Sequence, residues 1–317
     1  MTTAIAMVAL AGGLVVPPLV GFDPYWLYIL GAALLWAALA SAWNLLALAG
    51  LISFGHAVYF GAGAYASALL AQRAGWNPWL GVLAAAAVGA LVALPIGLSA
   101  HRLGGAYLAL ATFAYAEGVR GLALNWTALT GGGAGLIGIP ALPPLSLALP
   151  DALTRERAGG YYLALTLLLA TLGVYAGLRR TRVGLAWAAL REREERAQLL
   201  GVPPTPYKLL AFACSGALTG VGGALYAHAV RALEPDLAFG RGLSILPLVM
   251  ASFGGVHTLL GPTVGAFLLY LASELVFQPA LPRLHQLPYA LALVVVAVSL
   301  PRGLAGLGQR WWPGPDR

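Results

Sequence analysis

Apolar residues in this chain occur in long blocks, separated by short stretches that hold most of the polar and charged residues. A helix needs roughly 20 apolar residues to cross a bilayer core about 30 Å thick. The pattern therefore predicts an all-α fold with one transmembrane domain over residues 1–317. We expect about ten crossing helices, at residues 3–20, 25–48, 51–70, 78–98, 105–124, 160–178, 207–229, 244–254, 262–277 and 288–300.

The block at 244–254 is too short to cross the bilayer by itself. It is either a re-entrant segment or one half of a broken helix that continues into 262–277. The predicted number of crossings is accordingly eight, nine or ten.

Composition supports a membrane protein. The chain is 60% hydrophobic and 9% charged, whereas soluble domains carry about 25% charged residues. Its mean hydropathy is +0.82. The first apolar block has no basic residue before it, so we interpret it as a retained crossing rather than a cleaved signal peptide. The single cysteine, Cys214, can form neither an internal disulfide nor a metal cage.

Basic residues set the expected orientation, and they are densest after the sixth block. Loops rich in Lys and Arg stay in the cytoplasm, so we place the segment 179–206 inside, in a cell (inner, cytoplasmic) membrane. Ten crossings would then leave both termini inside. The cluster that carries this prediction consists of Arg179, Arg180, Arg182, Arg191, Arg193 and Arg196.

The same segment predicts a short charged helix. Good helix formers precede a run that includes Arg191, Glu194, Glu195 and Ala197, and Gly201 with two following prolines ends it. Its side chains could make charge-assisted bonds to a partner. They could equally form internal Glu–Arg pairs on a solvated helix, which contribute little.

Glu195-Arg196-Ala197, followed three residues later by Gly201, resembles the EAA loop of permeases from ATP-binding-cassette (ABC) importers, with Arg196 in place of the first alanine. A wider set of stretches resembles the branched-chain amino-acid ABC permeases, the LivM-like subunits, over roughly residues 40–300. These stretches are Asn44-Leu45-Leu46, Gly50-Leu51, Ser53-Phe54-Gly55-His56-Ala57, Gly61, Gly63-Ala64-Tyr65, Asn125-Trp126, Thr130-Gly131-Gly132, Gly135-Leu136, Gly138-Ile139-Pro140, Tyr207-Lys208-Leu209-Leu210-Ala211-Phe212, Gly254-Gly255 and Gly261-Pro262.

The resemblance implies a permease subunit that passes leucine, isoleucine or valine across the membrane; urea, short amides or other amino acids are the alternative substrates. It also implies a second homologous permease, normally in a heterodimer, two cytoplasmic ATPase subunits and an external substrate-binding protein. The charged helix would dock in a groove of an ATPase. Arg191, Glu194, Glu195, Ala197 and Gly201 are then the candidate coupling residues.

The residues themselves support an external source of energy. A P-loop requires Gly-x-x-x-x-Gly-Lys followed by Ser or Thr, but no such motif precedes the one lysine, Lys208. We therefore expect no nucleotide site, no cofactor and no catalytic residues in this chain. The glycine run at 131–135 is predicted outside, as a structural turn or as a loop that contacts substrate or binding protein.

Two glycine-interrupted stretches resemble each other: Ser53-Phe54-Gly55 and Ser252-Phe253-Gly254-Gly255. Paired broken segments often mark the substrate pathway of a transporter, although small residues also let helices pack closely. The candidate pathway residues are Ser53, Gly55, His56, Glu117, Gly131, Gly132, Gly254 and Gly255.

Glu117 is unusual because it lies in an apolar block, where a charge costs several kcal/mol unless it is paired or wet. Arg120 lies three residues on, so we predict that the two meet on one helix face. A proton- or sodium-driven transporter would use such a carboxylate, and this remains the main rival. A membrane-embedded enzyme would need clustered catalytic groups, which the sequence does not show. No histidines have metal-ligand spacing, so we expect no metal site.

Overall fold

The computed structural model describes residues 17, 19–21, 23–100, 102–143, 156–280 and 303–306. The predicted crossing at 288–300 and almost all of that at 3–20 lie outside the described residues. The remainder forms a bundle of helices with one two-stranded ribbon, which confirms the predicted all-α class.

The first half contains four long helices, and two of them begin with an Asx cap followed by proline. Asp23 Oδ1 accepts a hydrogen bond from Tyr25 N at 2.8 Å, and Asn77 Oδ1 accepts one from Trp79 N at 3.0 Å. Such caps bind backbone donors that the first helical turn leaves free. These helices are α1 (Pro24–Leu48), α2 (His56–Arg73), α3 (Pro78–Ser99) and α4 (Gly105–Asn125), followed by a short α5 (Thr127–Thr130) and a 3-10 turn (Gly132–Ala134).

The second half has, among the described residues, five helices of eleven residues or more and several short ones. Its elements are α6 (Glu156–Arg179), α7 (Arg182–Glu192), α8 (Glu194–Leu199), α9 (Pro204–Val230), α10 (Pro235–Ala238), α11 (Arg241–Gly254) and α12 (Gly261–Ala272), then a π-helical turn (Ser273–Phe277) and α13 (Gln278–Ala280). Strand β1 (Leu136–Ile137) pairs antiparallel with β2 (Ala232–Leu233), with Leu136 opposite Leu233.

Within the described residues, five stretches are long and apolar enough to cross a membrane: Pro24–Leu48, Pro78–Ser99, Gly159–Arg179, Pro204–Val230 and Pro235–Gly254, the last of which combines α10 and α11. The apolar helix Gly261–Phe277 is shorter. Helices α2 and α4 form near the predicted crossings at 51–70 and 105–124 but are less apolar. The total of eight to ten crossings remains a prediction, since two predicted blocks fall outside or almost outside the described residues.

The bundle has two distinct ends. At the first, which we call the linker end, α7 and α8 lie beside the C-terminal ends of α1 and α3 and the start of α9. At the second, the ribbon end, β1 and β2 lie beside the C-terminal ends of α2 and α4. The chain passes from the ribbon end to the linker end through α1, and returns through α9.

Helix α9 lies at the centre and packs against α1, α2 and α3 through small residues. The buried face of α3 repeats a small residue every fourth position, at Gly81, Ala85, Gly89, Ala93 and Gly97. A Cβ atom on Gly63 of α2 would lie only 2.5 Å from the Cα atom of Gly220. The helices therefore touch backbone to backbone, as small residues allow in membrane bundles.

Candidate coupling and translocation site

The segment between α6 and α9 forms two helices, where the sequence predicted one. Thr181 Oγ1 caps α7 by accepting from Val183 N at 3.2 Å. Arg193 then takes an extended conformation, with φ −155° and ψ 102°, and separates α7 from α8. Gly201 adopts a φ of +84° just after α8, so the predicted glycine stop is confirmed.

Three contacts fix this linker to the bundle. Trp187 is completely buried and donates from Nε1 to Tyr207 O at 2.8 Å. Lys208 Nζ donates to both carboxylate oxygens of Glu194 and to Ala100 O, each at 2.8 Å. A Cβ atom on Gly50 would lie 2.9 Å from Arg191 Cα, so the end of α1 directly contacts α7. The linker is thus joined to α1, α3 and α9.

The candidate coupling residues divide between two faces of the linker. Glu194 and Ala197 face the bundle, since Glu194 pairs with Lys208 and Ala197 is 2% exposed. Arg191, Glu195 and Gly201 are exposed. Three large apolar side chains are also exposed on this surface, Leu185, Leu199 and Leu200. Exposed apolar residues next to charges are typical of a protein-binding surface.

Helix α2 begins inside the bundle rather than at its edge. The chain turns at Gly50, and residues 51–55 run back along α1, where Trp43 Nε1 donates to Ser53 O at 2.9 Å. Phe54 N donates to Thr112 Oγ1 of α4 at 2.8 Å. Ala57 N donates to Ser244 Oγ of α11 at 3.1 Å. The free backbone donors of a helix N-terminus are therefore bound by neighbouring helices at this buried point.

His56, the first residue of α2, is completely buried. Ser215 Oγ donates to Ala42 O at 2.8 Å, so its oxygen accepts from His56 Nε2 at 2.9 Å. This arrangement assigns the proton to Nε2. His56 Nδ1 is then an acceptor that has no partner in the described part of the chain. The predicted residues Ser53, Gly55 and His56 do lie together, within contacts of α1, α4, α9 and α11.

Gly254 and Gly255 lie elsewhere, at the linker end, where α11 turns into α12. Gly255 has a φ of +121°. Asn44 of α1 holds the following loop: its Oδ1 accepts from His257 N and its Nδ2 donates to Thr258 O, both at 2.9 Å. Burial lowers the pKa of His257, and the Arg191 guanidinium lowers it further. The two glycine-interrupted stretches are thus held by adjacent residues of α1, since Trp43 binds Ser53 and Asn44 binds the loop after Gly255.

Gly131 and Gly132 form a turn at the ribbon end. Their φ angles of +80° and +58° are in the left-handed region, which favours glycine. A Cβ atom on Gly131 would contact the carbonyl oxygen of Gly135. Thr130 Oγ1 accepts from Gly132 N at 3.2 Å. These contacts explain the glycine run as a turn that leads into β1.

Four charged residues form a network, which we call the charge cluster: Glu117, Arg120, Asp236 and Arg241. The predicted pair is present, with Arg120 Nη2 3.1 Å from Glu117 Oε2. Arg120 Nη1 also lies 2.7 Å from Asp236 Oδ1, and Arg241 Nε lies 2.8 Å from Glu117 Oε1. Sequence analysis missed Asp236 and Arg241, because they lie more than a hundred residues away and no local spacing rule connects them.

A cavity of about 290 Å³ adjoins the charge cluster and is lined by Arg120, Asp236, Gly240 and Arg241. Glu117 and Arg120 are about one quarter exposed, whereas Asp236 and Arg241 are 62% and 63% exposed. Among the described residues, no group of three or more His, Cys, Asp or Glu side chains could hold a metal ion.

Comparison with known proteins identifies a family and related transport proteins. The family described as branched-chain amino acid transport system / permease component matches residues 25–299. The high-affinity branched-chain amino acid transport system permease proteins LivM of Salmonella typhimurium and Escherichia coli are each 33% identical, over 250 and 253 residues or 72% of this chain. The match covers 58% of each LivM protein, so this chain spans little more than half the length of these relatives.

A third relative matches less of the chain. The nucleoside ABC transporter permease protein NupC of Lactococcus lactis is 27% identical over 148 residues, which are 44% of this chain and 46% of that protein. No solved structure matches.

Proposed function

The chain belongs to the family of branched-chain amino acid permease components, and from that premise we propose that it is the membrane subunit of an ABC importer that passes leucine, isoleucine or valine. The match over residues 25–299 confirms the family resemblance inferred from the stretches between residues 40 and 300. The protein is a multi-pass membrane protein of a transporter family. We place it in the cytoplasmic (inner) membrane.

The linker carries the coupling part of the proposal. It is fixed to the bundle on its inner face by Trp187 and Lys208 and presents Glu195, Leu199 and Leu200 on its outer face. A lever requires both a rigid attachment and a free contact surface, and the linker has both. ATP hydrolysis is assigned to two separate cytoplasmic ATPase subunits, one of which docks on this surface.

The two ends of the bundle then acquire distinct roles. On this proposal the linker end lies in the cytoplasm, which the basic residues of 179–206 favour. The ribbon end faces outside, where a substrate-binding protein delivers the amino acid. A second, homologous permease completes the pathway in a heterodimer. These assignments give alternating access, in which ATPase closure pulls on the linker and tilts the helices.

Copurification tests the coupling surface. The chain is expressed with its permease partner, ATPases and binding protein, and Leu199→Asp is compared with Ile137→Asp, which changes an equally exposed apolar residue at the ribbon end. We expect Leu199→Asp to reduce both the ATPase retained with the permease and ATP-driven leucine uptake into vesicles. Ile137→Asp should retain the ATPase. Undiminished ATPase binding and uptake in Leu199→Asp would contradict this docking surface.

The same vesicles test the energy source and the substrate. An ion-driven transporter would accumulate leucine from a proton or sodium gradient without ATP, and that result would overturn the proposal. Isoleucine and valine should compete with labelled leucine. Competition by urea or short amides instead would reassign the substrate but leave the ABC class intact.

A further inference from the structure

The charge cluster is an open chain of alternating charges. Asp236 pairs with Arg120, Arg120 with Glu117, and Glu117 with Arg241. Arg241 uses Nε and Nη2 on Glu117, which leaves Nη1 without a hydrogen-bond partner in the described ranges. Asp236 likewise uses only Oδ1 there. One end of this series of charges is thus the Arg241 guanidinium, whose Nη1 can still donate, and the other end is Asp236, whose Oδ2 can still accept.

The cluster lies in the half of the bundle nearer the ribbon end, since Arg120 is five residues before Asn125, the last residue of α4, and Asp236 is three residues after β2. Glu117 is twelve residues after Gly105, the first residue of α4 at the linker end, so it lies roughly 18 Å along the helix axis. Arg241 is thirteen residues before Gly254 of α11, roughly 20 Å from the same end. Both heights are smaller than the roughly 30 Å thickness of a hydrocarbon core.

Charges at this depth are tolerated when they face water or a polar cavity rather than lipid. Asp236 and Arg241 are more than half exposed, so burial within the chain does not shield them. They line a cavity of about 290 Å³, close to the lower limit of roughly 300 Å³ for small-molecule sites. Ser244, one turn further along α11, binds the buried start of α2. The cavity therefore lies about one helical turn along α11 from the contact with the buried start of α2.

Taking the proposed function as its basis, we propose that the charge cluster is a substrate subsite that binds the backbone of a zwitterionic amino acid in the pathway. Arg241 binds the α-carboxylate, and Asp236 binds the α-ammonium group. The cluster has two positive and two negative members, so a neutral zwitterion adds no net charge, whereas an anion or a cation would.

Two further observations fit an amino acid with an apolar side chain. Ile245 lies four residues after Arg241, on the same face of α11, and is 39% exposed. An aliphatic side chain held by Arg241 and Asp236 would contact it. Arg120 pairs with both Glu117 and Asp236, and its Nε is shielded from solvent, so the carboxylate is left to Arg241.

Thiol protection by L-leucine tests the subsite directly. The reporter is Gly242→Cys in a Cys214→Ala background, since Gly242 is exposed beside Arg241 and an added Cβ atom would have its nearest neighbour, Leu246 Cδ1, at 3.8 Å. The transporter is assembled with its permease partner and ATPases in lipid discs, without binding protein, and reacted with a charged maleimide. Leucine should slow the reaction saturably, by about threefold or more, because a ligand in the cavity shields the thiol.

The analogues and variants identify the groups involved. 3-Methylbutylamine, which lacks the carboxylate, and 4-methylpentanoate, which lacks the ammonium group, should protect poorly. Asp236→Asn and, as a second variant, Arg241→Gln should remove protection by leucine. Glu234→Gln is the matched control, since it removes the same charge from an exposed residue two positions from Asp236.

Each outcome decides between the subsite and a purely structural network. Absence of protection, equal protection in Asp236→Asn, or equal protection by the two analogues would refute the subsite. ATP-driven leucine uptake by the same reporter, with binding protein added, is measured in parallel. Uptake without protection would overturn the subsite and leave the proposed function standing. Protection without uptake would overturn the proposed function and leave amino-acid binding at the cluster standing.

Discussion

Replacement of Gly216 by alanine should push helices α3 and α9 apart. An added Cβ atom would contact the carbonyl oxygen of Gly89 directly, and would lie 3.1 Å from the Gly89 carbonyl carbon and 2.8 Å from Ala93 Cβ. Carbon atoms pack best at about 3.5–4.0 Å. Helices α3 and α9 must therefore move apart by roughly 1 Å, since the neighbours are backbone or a Cβ atom and cannot rotate away.

The size of the effect follows from two opposing contributions. Overpacking of a well-packed interior typically costs about 1–3 kcal/mol. The better helix propensity of alanine offsets up to about 1 kcal/mol of that. We expect the free energy of unfolding to fall by about 1–2 kcal/mol. Gly173→Ala on α6 is the control, because an added Cβ atom there would have no neighbour within 4 Å; it should leave stability unchanged or slightly higher.

Unfolding by sodium dodecyl sulfate in mixed micelles, followed by tryptophan fluorescence, measures both variants against the parent chain. The transition of Gly216→Ala should shift to a lower mole fraction of the denaturing detergent, and that of Gly173→Ala should not. Coincident transitions for the two variants would refute the argument that direct backbone contact sets the spacing of α3 and α9.

Two further predictions concern buried polar contacts at the linker end. Lys208→Met leaves Glu194 and Ala100 O without their donor. We expect the detergent titration to show a loss of unfolding free energy below the about 3–5 kcal/mol typical of a broken buried pair, because Glu194 is partly exposed. The double variant Lys208→Met/Glu194→Gln should recover part of that loss. Asn44→Ala removes both side-chain bonds to the α11–α12 loop, so backbone amides of residues 255–260 should exchange deuterium faster by mass spectrometry; Ser41→Ala, which loses only a 3.3 Å contact, should leave that exchange unchanged.

The helices that sequence predicts best are those whose ends are marked by local chemistry. The start of α1 carries Asp23 before Pro24, and that of α3 carries Asn77 before proline; both predicted crossings agree with the structure within a few residues. The crossing predicted at 51–70 starts five residues later, at His56. Residues 51–55 are largely apolar, so hydropathy cannot separate them from the helix. Their non-helical path is held by hydrogen bonds to Trp43 and Thr112, which are 10 and 58 residues away in sequence and which no local pattern predicts.

The charge cluster shows the same limit. The pair of Glu117 with Arg120 follows from a spacing of three on one helix, whereas its contacts with Asp236 and Arg241 arise only after α4 and α11 meet. The block at 244–254 was predicted to start at Ser244, because Arg241 and Gly242 interrupt the apolar run. The helix instead starts at Arg241, whose charge Glu117 neutralises. Long-range pairing thus decides an element boundary that composition had placed three residues later.

Helix α9 contacts the linker near its start and helix α2 at two further heights. Lys208 binds Glu194 near its start, Ser215 accepts from His56 at its middle, and His228 near its end accepts from Ser67 at 2.7 Å. His56 and Ser67 both belong to α2, and backbone contacts join α9 to α3, so contacts along their length connect these three helices into one unit. A tilt imposed at the linker would therefore move them together. On the proposed function, we expect the relative motion that opens a pathway to occur between this unit and α11, across the Ala57–Ser244 bond.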